Sequence, residues 1–164
     1  MVTNKKEYIE SLSTEALVGL FINLLPNMGL TSVKRKSETC LEVDIEIPNA
    51  GTYLNCYLFF SGPLSKGYPH IAALIEEINK KISGGCSKIY IVCNHSISGG
   101  LQFELDRGAN KKNSIEYYQN SDILAKIEDN YSDYWRHSDQ SLISYEKDFE
   151  RKITDSFQIK KLVL

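Results

Sequence analysis

The stretch from Leu41 to Phe60, LEVDIEIPNAGTYLNCYLFF, constrains the fold of this chain more than any other. Glu42, Asp44 and Glu46 alternate with Val43, Ile45 and Ile47, and a period of two places one row of side chains on each face of a strand. PNAGT supplies turn residues. From Tyr53 to Phe60 nearly every position is apolar, the pattern of a central strand covered on both faces. A strand with one polar face is therefore expected to turn back into the middle of a sheet.

The flanking segments supply the layers for that sheet. Leu17, Leu20, Phe21 and Leu24 fall at helical spacing behind a Ser13 N-cap, with Glu15 in the first turn and Pro26 and Gly29 as stops. TSVKRKS reads as a polar edge strand. A helix is predicted from Pro69 to Ile82, with Ile71, Leu74, Ile75, Ile78 and Ile82 on one face, stopped by Gly84 and Gly85. KIYIVCN is an apolar strand, LQFELDRGANKK a helix and SIEYYQN a further strand. A helix then starts at Ser121, and the charged tail from Gln140 is helix-prone, with Leu142, Tyr145, Phe149 and Ile153 at helical spacing. The order predicts an α/β sandwich, a mixed sheet flanked by helices, over residues 1–138, with a helical C-terminal extension at 139–164 that packs on the domain or docks elsewhere.

Composition limits what such a domain does. At 164 residues, 42% hydrophobic and 24% charged, the chain is one globular domain with no apolar run of the roughly 20 residues a membrane span needs. No apolar stretch follows the lysines near the amino terminus, so a cytoplasmic protein without a membrane partner is expected. Cys40, Cys56, Cys86 and Cys93 lack C-x-x-C spacing and read as buried free thiols. A net charge of −2 gives no excess of cations for nonspecific phosphate binding. His70, His95 and His137 lie in separate segments without metal-ligand spacing, and neither glycine pair has phosphate-loop spacing.

The helix ending in NMGL, the strand bearing Asp44, the strand YLNCYLFF and the segment KIYIVCNHSISGGLQFELDRGANKKNSIEYYQNSDILAKI together resemble the restriction-endonuclease-like fold, above all its Mrr-type branch among the PD-(D/E)XK nucleases. The resemblance implies a three-layer sandwich and a site in which a first-strand aspartate and a second-strand Gln or Glu bind Mg²⁺ beside a lysine. Carried over, Asp44 matches the aspartate, Asn55 falls at the Gln or Glu, and Tyr57 falls at the lysine. Asn55 is short and uncharged, and a phenol titrating near ~10 cannot replace an ammonium. The motif is thus degenerate, with Asp44 and Asn55 as the catalytic and metal-binding candidates.

Two readings follow. In the first, the chain is a catalytically impaired nuclease-like module, leaning away from enzyme activity and needing no cofactor. It serves as a subunit or recruitment piece of a prokaryotic DNA-targeting or antiphage assembly, bound to a protein partner and reaching DNA directly or through the complex. Tyr131, Tyr134 and Trp135 are its candidate interface anchors, since Tyr and Trp dominate such contacts. In the second, it is an active Mg²⁺-dependent DNA endonuclease with a relocated lysine or glutamate from Lys66, Lys80, Lys81 or Glu15. Oligomeric state is not legible.

Overall fold

The computed structural model describes residues 4–28, 32–46, 49, 51–64, 70–130 and 134. These form helices α1 (Lys5–Ser11) and α2 (Thr14–Leu24), a short 3-10 turn (Leu25–Met28), strands β1 (Ser32–Ser37), β2 (Cys40–Glu46) and β3 (Tyr53–Ser61), helix α3 (His70–Ser83), strand β4 (Lys88–Cys93), helix α4 (Gly99–Gly108), strand β5 (Ile115–Tyr118) and helix α5 (Asn120–Asn130). The strands make one sheet in the order β1-β2-β3-β4-β5. The first three are antiparallel, and β4 and β5 run parallel to β3. The mixed sheet between helices is as expected from the strand and helix periodicities. The proposed tail helix lies outside the described residues.

Alternation along the strands divides the core in two. Val43, Cys56, Leu58, Phe60 and Val92 point to one face and pack with buried side chains of α1, α2 and α5. Cys40, Phe59, Ile89 and Ile91 point to the other, beneath α3 and α4. Phe21 of α2 is fully buried and meets Phe60 edge-to-face, with ring centroids 5.4 Å apart.

Local signals explain the helix ends. Ser13 caps α2 by accepting from the Ala16 amide, as its place before the apolar periodicity implies. After α3, Gly85 takes φ +95° while its amide donates to the Ile82 carbonyl and the Cys86 amide donates to the Lys81 carbonyl. This crossed pair needs a left-handed residue that glycine adopts without a Cβ penalty. Helix α1 is not foreshadowed by any apolar periodicity. Its signature is Asn4, which accepts from the Glu7 amide at 3.0 Å, and a capping residue three positions before a glutamate is the readable cue.

Replacing Phe21 by Ala removes a ring that cannot be refilled from either layer, and the expected loss of unfolding free energy is about 3–5 kcal/mol. Urea titration followed by circular dichroism measures it.

Candidate functional site

The antiparallel register sets Asp44 opposite Asn55 and Glu42 opposite Tyr57, and the period of two puts all four on the α3 side of the sheet. The helices cover this face from Phe59 toward β5, whereas the β1 and β2 half keeps a polar surface. Glu42 and Asp44 are like charges two residues apart, and a protein donor stands between them. The Asn55 amide nitrogen donates to Asp44 Oδ1 at 3.1 Å and to Glu42 Oε2 at 3.3 Å. The Tyr57 hydroxyl donates to Glu42 Oε2 at 2.5 Å, and Lys36 Nζ lies 3.4 Å from Glu42 Oε1.

These bonds set the ionisation of the cluster. The Tyr57 hydroxyl, with a smaller contribution from Asn55, holds the Glu42 carboxyl below the ordinary value of 4.5 against the opposing effect of burial. The same bond to Glu42, reinforced by burial, pushes the Tyr57 phenol above its ordinary 10. At neutral pH the pair is a carboxylate and a neutral phenol. Above Tyr57 sits Lys81, its ammonium 4.9 Å from the ring centroid.

The arrangement brings the two candidates Asp44 and Asn55 together but does not fit a divalent ion. A hard cation needs oxygen ligands, and Asn55 turns its nitrogen to both carboxylates. Among the described residues, no group of three or more His, Cys, Asp or Glu side chains could hold a metal. Of the relocated candidates, Lys80 pairs with Glu77 at 3.1 Å and Lys81 covers Tyr57, while Lys66 lies outside the described residues. Glu15 lines a separate small cleft of about 240 Å³ with Arg35 and Glu38.

Other sequence candidates have internal roles. All four cysteines are buried free thiols, and burial raises Cys40 and Cys56 to about 11, so they stay protonated at neutral pH. His95 Nδ1 lies 2.7 Å from Asn94 Oδ1 at the end of β4, and Asn94 in turn donates to the Leu12 and Glu10 carbonyls, tying the end of α1 to the sheet. Tyr118 stacks on Tyr90, and the Tyr117 hydroxyl donates to Asp106, so both members of this tyrosine pair are engaged within the domain. Tyr134 is a correction to the expected interface: it is 1% exposed, its ring meets Tyr8 edge-to-face and their hydroxyls lie 2.8 Å apart. Tyr131 and Trp135 lie outside the described residues.

A feature the sequence did not disclose is a trough between the turn after β1 and helix α3. It comprises clefts of about 470 Å³ and 550 Å³ that share Thr39, Phe59 and Leu74. Strand and helix patterns mark these residues as core and turn positions, and only packing α3 short of β1 leaves the gap.

No protein-family model matches the chain, and no curated protein matches it. Among solved structures, the Moraxella osloensis Cap4 SAVED/CARF-domain containing receptor is similar, with a TM-score of 0.50 and 12% identity over 87% of this chain and 42% of that one. The chain spans less than half the length of that receptor, and at this identity the likeness concerns fold. It corrects the expected kinship: this backbone is similar to that of a SAVED/CARF-domain receptor, and the restriction-endonuclease-like, Mrr-type assignment is not upheld. An acidic strand turning into an apolar one specifies a hairpin within a mixed sheet, and that pattern is not confined to one family.

Replacing Tyr57 by Phe leaves the ring and removes the donor to Glu42, with an expected cost of about 1.5 kcal/mol at neutral pH. Because the folded Glu42 value is depressed, its stabilisation is present above about pH 4.5 and is lost as pH falls through the folded value. The raised Tyr57 value acts in the other direction, stabilising below about pH 10 and fading as pH rises through the folded value. The gap between wild type and variant, measured by denaturant titration across pH, is therefore expected to narrow at both ends.

Proposed function

We propose that this chain works in antiphage defence by contact, as a module that binds a protein subunit, without a metal and without cleaving bonds itself. The observation that carries this reading is the closed network at Glu42, Asp44, Asn55 and Tyr57. Its donors and acceptors face one another across β2 and β3. Among the described residues Asp44 has no lysine or arginine partner, so the cation that phosphodiester chemistry would need beside it is missing there. The likeness to a receptor fold supports a binding role.

Tagged protein purified from the native host is expected to retain a protein subunit, and Asp44→Ala is expected to leave that retention unchanged. Deleting the gene is expected to raise phage plating efficiency. DNA incubated with the purified chain and Mg²⁺ or Mn²⁺ should remain intact, and DNA loss abolished by Asp44→Ala overturns the proposal.

A further inference from the structure

We infer that the trough between the turn after β1 and helix α3 is a docking site for a short extended segment of a partner protein, one that sets acidic side chains beside apolar ones. The inference deepens the contact-module reading and rests on it. The trough runs from Lys36 and Lys81 at one end, over Phe59 and Leu74, to Gly62 and Pro63 at the other. Its floor is apolar. Among the described residues it is a half-open cleft rather than an enclosed cavity, so a bound group keeps one side in water, as an extended peptide does and an enclosed small molecule does not.

Charge decides the chemistry of the occupant. At the lysine end, Glu77 is held by Lys80 at 3.1 Å, and Lys36 is shared with Glu42 at 3.4 Å. Lys81 differs from both. Among the described residues its ammonium meets no carboxylate, and its partner is the face of Tyr57, 4.9 Å to the centroid. Tyr57 is itself fixed by Glu42, so the cation rests on an anchored ring at the mouth of an apolar floor. A carboxylate entering here gains a charge-assisted hydrogen bond without displacing an existing ion pair, and the neighbouring apolar side chain reaches Phe59 and Leu74. Ser37 and Thr39 line the same rim and add hydroxyl donors.

The test uses an acetylated, amidated five-residue peptide alternating aspartate with leucine and phenylalanine, and its asparagine counterpart, each titrated into the full chain while amide NMR shifts are followed. Shifts are expected at Thr39, Phe59 and Leu74 with the aspartate peptide. Lys81→Glu should weaken its binding about tenfold or more, and Lys81→Arg should restore it. Ala73→Trp places a ring in the trough from an exposed position and should abolish binding while the remaining spectrum reports an intact fold. Equal binding of the two peptides, shifts elsewhere, or no shifts at millimolar peptide overturns the assignment. The copurified subunit separates the two readings: if it is retained by Lys81→Glu and Ala73→Trp alike, the contact module stands and the trough is not its site.

Discussion

Strand β3 pairs antiparallel with β2 on one side and parallel with β4 on the other, and from Cys56 to Phe60 it supplies side chains to both layers of the core. From Cys56 to Phe60 both faces of the strand are largely covered, which is why its sequence there loses the alternation that β2 keeps, whereas Tyr53 and Leu54 at its start are exposed. Each fully buried aliphatic or aromatic residue contributes about 1.5–3 kcal/mol of transfer free energy, so the run holds the two helix layers to one sheet. Helices α1, α2 and α5 close one side and α3 and α4 the other.

The same pairing creates the polar cluster. Because α3 and α4 cover the β3, β4 and β5 side of their face, Glu42 and Asp44 on β2 are left at the border between core and solvent. Two like charges at that border repel unless donors lie between them, and the register supplies Asn55 and Tyr57 at the facing positions. Tyr57 thereby has two roles: its hydroxyl offsets part of the repulsion, and its ring carries Lys81. The Asn55 amide nitrogen facing two carboxylates and the Tyr57 phenol donating to one tie β2 to β3 across this register.

Much of the architecture was legible. The polar edge strand, the alternating strand, the apolar central strand, the helix over Ile71 to Ile82 and the strand KIYIVC all fall within a residue or two of their observed positions. Period and turn chemistry are local properties, and each of these segments is strongly periodic or strongly apolar. Helix α1 escaped because seven residues present a single fully buried position, Ile9, too few for a periodicity. Tyr134 was misplaced because an aromatic residue reads the same in sequence whether it faces a partner or Tyr8 from α1, over a hundred residues away.

Kinship was less legible than architecture, because spacing within a hairpin does not distinguish between folds that share it, and the structural likeness runs to a receptor. By itself the sequence determined that Asp44 and Asn55 could be neighbours and that no lysine follows them, since strand parity is set by covalent geometry. Only the tertiary structure decided which way the Asn55 amide faces, that Tyr57 bonds Glu42, and that α3 stands off β1 to leave a trough beneath Lys81. Those depend on register and on helix placement, which arise from packing among residues distant in the chain and leave no local periodicity to read.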